Sequence, residues 1–366
     1  MNLQLNKWKK VKLGEICKLE YGSNLTDKHR KGGDVPVYGS AGIVGWHNAP
    51  LTQSATLIVG RKGSVGNVFY SDVPCFPIDT TYYVQETECK ESLYWLQIFL
   101  SHYDLRKLNM ATAVPGLNRN IAHLIEILLP PLEEQNRIAS LFQSIESAIE
   151  QAEQQEKKLK LLQKSLSNGL MSEEPVFGNL LNKKNCIRIN FGGVADCIEQ
   201  HDKQKKDVSR FIGLENIEPE NLKITTWGNI FDGTTFTKRF SRGDVLFGKR
   251  RAYLKKAAVA EFDGICSSDI LVFRAKVKMM LPGLLPYYAN SDAFMNHAVS
   301  TSAGSLSPRT KWRDLADFEL SIPDLIVQEK IVDVFNKLNE SLTLIKTQKQ
   351  TLKALKQKLL NEILGG

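Results

Sequence analysis

The chain has few of the features that mark a metal site, a secreted protein or an enzyme. Its six cysteines, at 17, 75, 89, 186, 197 and 266, form no Cys-x-x-Cys pair and cluster with no histidine. That spacing argues against zinc and is expected of reduced, mostly structural thiols in a cytoplasmic protein. No run of 18 or more apolar residues occurs, so no membrane-spanning helix is expected. The opening stretch from Met1 to Trp8 lacks the apolar core of a signal peptide. The six histidines, at 29, 47, 102, 123, 201 and 297, make no His-Glu-x-x-His pattern. No Asn-Pro-Pro-Tyr or Asp-Pro-Pro-Tyr segment is present, so an adenine methyltransferase active site is missing. Gly243–Lys249 fits the first positions of a phosphate-binding P-loop, but Arg250 stands where Ser or Thr should hold magnesium. Asp79 with Glu88 and Lys90 weakly suggests a metal-dependent nuclease, with nothing comparable later in the chain. Gly60-Arg61-Lys62-Gly63 matches the basic loop of an RNA-binding KH domain, yet it follows a strand rather than a helix. The net charge of +8 permits a polyanionic partner without requiring one. No catalytic or metal centre emerges.

A repeat is what the sequence does have. Apolar residues recur at steps of three and four through Ile138, Phe142, Ile145, Ile149, Ala152, Leu159, Leu162, Leu166 and Leu170, interrupted at Glu156. The same seam returns 193 residues later as Ile331, Phe335, Leu338, Leu342, Ile345, Leu352, Leu355, Leu359 and Ile363, interrupted at Lys349. A mean step near 3.5 lets two helices bury one face against each other. The flanks repeat too, with Pro130–Gln135 before the first helix and Pro323–Gln328 before the second. The chain therefore reads as two copies of one unit.

Leu132 to Leu170 would span roughly 55–60 Å as a helix. The domain between the two helices should have a radius of gyration near 15 Å. An antiparallel helix pair needs only short connections, so the expectation is a rod with one globular copy at each end, related by a pseudo-twofold axis. Each copy reads as mixed. Trp8–Ile16 suggests a short helix or strand, 55–59 and 67–70 read as strands around the loop Gly60–Gly66, and a helix is expected near Ser92–Lys107. In copy two, Gly243–Phe247 reads as the strand leading to Gly248-Lys249-Arg250-Arg251, matching Leu57–Arg61 at an offset of 188. Asp269 is matched with Asp79 at 190, and Leu306–Trp312 with Ala113–Arg119 at 193. A linker is expected at 172–185.

Basic loops remain as candidates for function. Copy two concentrates Lys238, Arg239, Arg242, Lys249, Arg250, Arg251, Lys255 and Lys256 within 238–256, with Arg309 and Lys311 further on. Copy one offers Lys28, Arg30, Lys31, Arg61, Lys62 and Arg119, near Tyr38, Ser40, Trp46, Ser64 and Tyr70. Arginine can read guanine edges bidentately, while lysine, serine and glycine N–H groups position phosphates. Two basic loops at equivalent strand ends point to double-stranded DNA.

With these residues in view, the chain resembles the specificity subunits of Type I restriction–modification systems over essentially its whole length. The residues that carry the resemblance are Trp8–Ile16, Tyr38–Gly45, Gly60–Gly66, Leu129–Ile138 and the helix that follows, with the proline–glutamine–helix element present twice. The resemblance implies an α+β fold with two mixed target-recognition domains joined by two long antiparallel helices. The corresponding boundaries are 1–131 and 172–323 for the recognition domains, and 132–171 and 324–366 for the helices. It further implies that each domain reads half of a split DNA target and that the helices set the gap. Two modification subunits would dock on the helices, bring S-adenosylmethionine and methylate adenine. Restriction subunits, where present, would add chemistry dependent on ATP and magnesium. This chain would then be non-catalytic and hold no cofactor of its own. Copy two has Gly248-Lys249-Arg250-Arg251-Ala252 where copy one has Gly60-Arg61-Lys62-Gly63-Ser64, so glycine is lost after Gly248, which leaves a shared loop geometry unsupported and suggests that the halves read different sequences. The alternatives are a coiled-coil adaptor that binds only proteins, and a nuclease built on Asp79, Glu88 and Lys90.

Overall fold

The computed structural model describes residues 8–108, 116–171, 177, 181 and 186–364. The chain divides into two compact units, residues 1–152 with 348–366, and residues 153–347.

Unit 1 opens with β1 (Lys9–Lys12) and α1 (Leu13–Ile16), so the ambiguous Trp8–Ile16 stretch is a strand and then one helical turn. β2 (Glu20–Tyr21), β3 (Val35–Gly39), β4 (Gly42–His47), β5 (Thr56–Gly60), β6 (Val68–Ser71), β7 (Phe76–Pro77) and β8 (Thr81–Gln85) follow. Next come α2 (Leu93–Tyr103), α3 (Arg119–His123), β9 (Glu126–Leu129) and the long α4 (Leu132–Gly169). The strands form one sheet in the order β2-β8-β5-β6, a second in the order β4-β3-β7, and the pair β1-β9. β5 is buried at all five positions because both its neighbours are paired and α2 covers it. Helix starts follow the chain's polar residues. Ser92 caps α2 by accepting from Trp95 N, and Asn118 caps α3 by accepting from Asn120 N and Ile121 N.

Unit 2 repeats this plan with β10 (Cys186–Asn190), α5 (Phe191–Val194), β11 (Ala195–Cys197), β12 (Arg210–Ile212), β13 (Gly228–Asn229), β14 (Lys238–Phe240) and β15 (Val245–Gly248). β16 (Ala257–Val259), β17 (Gly264–Cys266), β18 (Ile270–Ala275), α6 (Leu285–Ala289), α7 (Asp292–Ser300), α8 (Trp312–Ala316), β19 (Glu319–Pro323) and α9 (Leu325–Leu364) complete it. Its sheets run β11-β18-β15-β16 and β13-β12-β17-β14, with the pair β10-β19. The parallel pairing of β3 with β7 returns as β12 with β17. Among the described residues, strand β14 has no counterpart in unit 1. Leu13–Ile16 corresponds to Phe191–Val194, an offset of 178 that the sequence alone does not reveal. The climb from 178 to 193 along the chain is absorbed in loops.

The proline–glutamine flank of each long helix has a structural cause. Gln135 and Gln328 are fully buried. Gln135 Nε2 donates to Pro130 O at 2.9 Å, while its Oε1 accepts from Ser92 N at 3.0 Å. Gln328 Nε2 donates to Pro323 O at 3.0 Å and Met279 O at 2.8 Å, and its Oε1 accepts from Leu281 N at 2.9 Å. A buried amide is tolerated only when both its ends are bonded. Each glutamine therefore ties the start of its helix to a loop of its own unit.

The helices run antiparallel within each unit. In unit 1, Ile138 and Phe142 share a core with Leu359 and Ile363. In unit 2, Leu166 and Leu170 share one with Ile331 and Phe335. The seam is not evenly buried, however: Leu162 and Leu355, equivalent at the 193 offset, are 47% and 42% exposed. The neighbouring seam residues Ile145, Ala152, Leu338 and Leu342 are by contrast buried. Leu162 and Leu355 lie outside both cores. Among the described residues, no helix is long and apolar enough to cross a membrane.

Candidate nucleic-acid interface

Both units present their basic loop on the same backbone scaffold. In unit 1, Gly60 N bonds Asn67 O at 2.7 Å and closes the loop between β5 and β6. Arg61 N donates to Thr80 O at 2.9 Å, Leu117 N donates to Arg61 O at 2.9 Å, and Lys62 bridges Gly116. In unit 2, Gly248 N bonds Lys256 O at 2.8 Å, Lys249 N donates to Asp269 O at 3.0 Å, Thr310 N donates to Lys249 O at 3.1 Å, and Arg250 bridges Arg309. The hydrogen bonds thus match Asp269 with Thr80. The sequence pairing of Asp79 with Asp269 is off by one: copy two has a single extra residue between Arg251 and Lys255, which takes the offset from 188 at Gly60 to 189 at Thr80 and not to 190.

The loop geometry also survives the loss of glycine. Gly63 and Gly66 have φ of 76° and 80°, and the equivalent Arg251 and Lys255 have 53° and 50°. Residues with a β-carbon avoid this left-handed region, at a cost of about 1 kcal/mol each. Copy two carries that cost where copy one does not, and in return places two cations on the loop.

In unit 1, the Arg61 guanidinium lies 4.8 Å from the centre of the Tyr21 ring, with Arg119 at 4.9 Å from the same ring. Arg61 Nη1 also donates to Asp79 O at 3.0 Å. Ser40 Oγ accepts from Ser64 N at 3.3 Å and so orders the loop. Lys28, Lys31, Lys62 and Ser64 are exposed. Arg30 is committed elsewhere: its Nη1 donates to Val44 O at 2.7 Å and pairs with Asp27 Oδ1 at 2.5 Å. Tyr38 is buried beside Phe69, so its place in the DNA-contacting set falls away. Burial pushes its phenol pKa up.

Unit 2 organises its cations around one carboxylate. Arg309 Nε donates to Asp269 Oδ1 at 2.8 Å, Arg250 Nη1 lies 3.5 Å from Asp269 Oδ2, and Arg250 Nη2 donates to Ser307 Oγ at 3.2 Å. Burial alone would raise the Asp269 pKa. The Arg309 hydrogen bond and the charges of Arg309, Arg250 and Lys249 outweigh it and hold the carboxyl below its ordinary range. Arg251 and Lys311 are exposed, Lys249 is half-buried, and Arg239 Nη1 pairs with Asp202 Oδ2 at 3.2 Å. Lys238 must be corrected. It is 3% exposed, and its ammonium is bound to Glu199 Oε1 at 2.9 Å and Ile270 O at 3.3 Å. A buried, paired lysine is a structural cation, not a phosphate contact.

Tyr21 and Asp269 are the residues that sequence reasoning missed or misassigned. Tyr21 is 40 positions from Arg61 and has no local signal. Among the described residues no cluster of three or more potential metal ligands occurs, and all six cysteines are free.

The pattern of the Type I restriction modification DNA specificity domain matches this chain twice, over residues 6–161 and 184–354. The chain belongs to that family. Each matched segment holds one loop scaffold and most of one long helix, so the duplicated unit is the family's domain. The Escherichia coli Type I restriction enzyme EcoDI specificity subunit is 26% identical over 362 residues, covering 89% of this chain and 80% of the relative. The crystal structure of a Type I restriction–modification S subunit from M. genitalium superposes with a TM-score of 0.66 at 14% identity, covering 98% of this chain and 97% of that one. A chain from a study of complex assembly and conformational transition of the Type I system gives a TM-score of 0.56 at 16% identity, covering 97% of each. At such identities the likeness is one of fold: a specificity subunit with two recognition domains and paired helices.

Proposed function

We propose that this chain is the DNA-recognition subunit of a Type I restriction–modification complex. Unit 1 reads one half of a split double-stranded target through Arg61, Lys62, Ser64 and Arg119. Unit 2 reads the other through Lys249, Arg250, Arg251, Arg309 and Lys311. The observation that carries this reading is one scaffold, repeated at equivalent strand ends, bearing cations on different neighbours: an arginine pair about Tyr21 in unit 1, and a carboxylate-held arginine pair in unit 2. Oriented guanidiniums suit base edges, and exposed ammoniums suit phosphates.

In this reading the two long helices set the unread gap and dock two modification subunits. S-adenosylmethionine and adenine methylation belong to those subunits, and ATP and magnesium to restriction subunits where these occur. This chain contributes selection, not catalysis.

The test is a map of modified adenines across the native host genome, with and without this gene. Loss of one split motif on deletion is the expected result and supplies both half-sites. An unchanged map, together with no salt-dependent DNA affinity, would overturn the reading in favour of a protein adaptor.

A further inference from the structure

Leu306 buries almost nothing in the fold, being 90% exposed. Its surroundings are nonetheless fixed. Ala303 N donates to Arg309 O at 3.0 Å and Arg309 N returns a bond to Ala303 O at 2.9 Å, which clips residues 303–309 into a closed loop with Leu306 at the middle. Thr301 Oγ1 and Thr310 Oγ1 are hydrogen-bonded at 3.1 Å just outside the clip. On the far side of the apex, Pro308 O accepts from Arg251 N at 2.8 Å and Ser307 Oγ accepts from Arg250 Nη2 at 3.2 Å. A third arginine, Arg309, forms the clip itself and is held by Asp269.

The loop thus joins two features seldom found together by chance: a wholly exposed aliphatic side chain, and a pinned base surrounded by three arginines. Isolated surface leucines are ordinary. One held at the apex of a rigid loop, directly beside the cations assigned to a polyanion, has a partner supplied by its position. With the oriented arginines at base edges and exposed lysines at phosphates, the leucine at the apex beside those arginines also faces the bases. An apolar side chain meets duplex DNA either at a thymine methyl group in the major groove or as a wedge between base steps in the minor groove. Both are contacts to bases and not to the backbone.

We infer that Leu306 is the apolar base contact of unit 2 and sets discrimination at one or two adjacent base pairs of its half-site. This rests on the DNA-recognition reading above. Copy one has Ala113 at the matching sequence position, so the contact is particular to the half-site read by unit 2.

The experiment compares the full chain, assembled with its co-expressed modification subunits, as wild type, Leu306→Ala and Leu306→Met. Binding is measured to the target found by the methylation map and to every single-base-pair substitution of it. Leu306→Ala should lower cognate affinity about 5- to 100-fold and flatten discrimination at one or two adjacent positions, leaving all others unchanged. Leu306→Met should retain the discrimination. Uracil in place of thymine reproduces the loss if the contact is to a methyl group. A 2-aminopurine fluorescence signal that disappears in Leu306→Ala identifies a wedge. An unchanged thermal midpoint confirms that the exposed substitution leaves the fold intact. Equal weakening at every substituted site, or no weakening, would overturn the inference. So would normal DNA binding with loss of a bound subunit, which would assign Leu306 to a protein contact. A wild-type complex with no sequence discrimination would overturn the DNA-recognition reading itself, and this inference with it.

Discussion

Glu146 accepts from the Lys356 ammonium across the helix pair of unit 1, and also from the Tyr94 hydroxyl. The equivalent positions in unit 2, each 193 residues away, are occupied by Asn339, Gln163 and Tyr287. There Gln163 Nε2 donates to Asn339 Oδ1 at 2.7 Å, and Asn339 Nδ2 donates to the Tyr287 hydroxyl at 2.7 Å. One three-residue junction is therefore ionic in one copy and neutral in the other, with the tyrosine kept.

Replacing Glu146 with Asn should cost about 1 kcal/mol, as should replacing Lys356 with Gln, because each leaves a half-buried polar partner unanswered. The double variant installs the neutral arrangement of unit 2 and should cost less than the two singles together. Chemical unfolding of the four proteins reads this as a coupling energy. Strict additivity would mean that the two residues do not act on one another.

The spacing of this junction was legible in the sequence, because a helix seam obeys a fixed period and cannot take insertions without turning its apolar face away. The reading domains were legible only as strands and turns. Their offset runs from 178 to 193 since loops absorb residues freely. Lys238 could have been placed correctly from pattern alone: it lies two residues before Phe240 in a strand, hence on the same buried face. The partnership of Tyr21 with Arg61 and Arg119 could not, as it depends on chain segments brought together only by the sheet. The uneven burial of the seam at Leu162 and Leu355 was likewise hidden, because periodicity reports a face without saying what covers it.

Asp269→Asn removes the single carboxylate that orients Arg250 and Arg309. Non-specific DNA affinity should rise, with the salt dependence steeper by about one unit of slope, while discrimination within the unit 2 half-site falls. Binding titrations at several salt concentrations check both. The wild-type arrangement should also be acid-sensitive. Since the folded Asp269 carboxyl titrates below its ordinary range, its stabilising contribution is fully present above the unfolded carboxylate pKa. It is lost as the pH falls through the lower folded value. Subtracting the pH–stability profile of the Asn variant from that of the wild type should expose this acid limb.

Arg251→Gly separates folding from recognition. Relief of the left-handed strain, set against the greater freedom of glycine in the unfolded chain, should leave stability unchanged or raise it by up to about 1 kcal/mol. DNA affinity should nevertheless fall, as an exposed cation is lost from the loop. Thermal unfolding and DNA titration of one preparation decide the matter. A destabilised variant would show that the Arg251 side chain supports the loop and not a ligand.

Leu162 and Leu355 test the docking role of the helices. They are the same station of the seam in the two copies, and both are exposed beyond 40%. Two equivalent apolar sites on one chain fit the two modification subunits proposed for the complex. As solvent-exposed positions, they should accept Leu162→Glu and Leu355→Glu with little change in stability, within about 0.5 kcal/mol. A glutamate buried in an apolar contact with a partner, by contrast, leaves an unpaired charge and should weaken that contact about tenfold or more. Each single variant should therefore lose one bound modification subunit and the double variant both, as read by the mass of the purified complex. DNA contacts of the isolated chain should be unaltered, because neither leucine lies on the loop scaffold. Full assembly of the double variant would place the docking surface elsewhere on the chain.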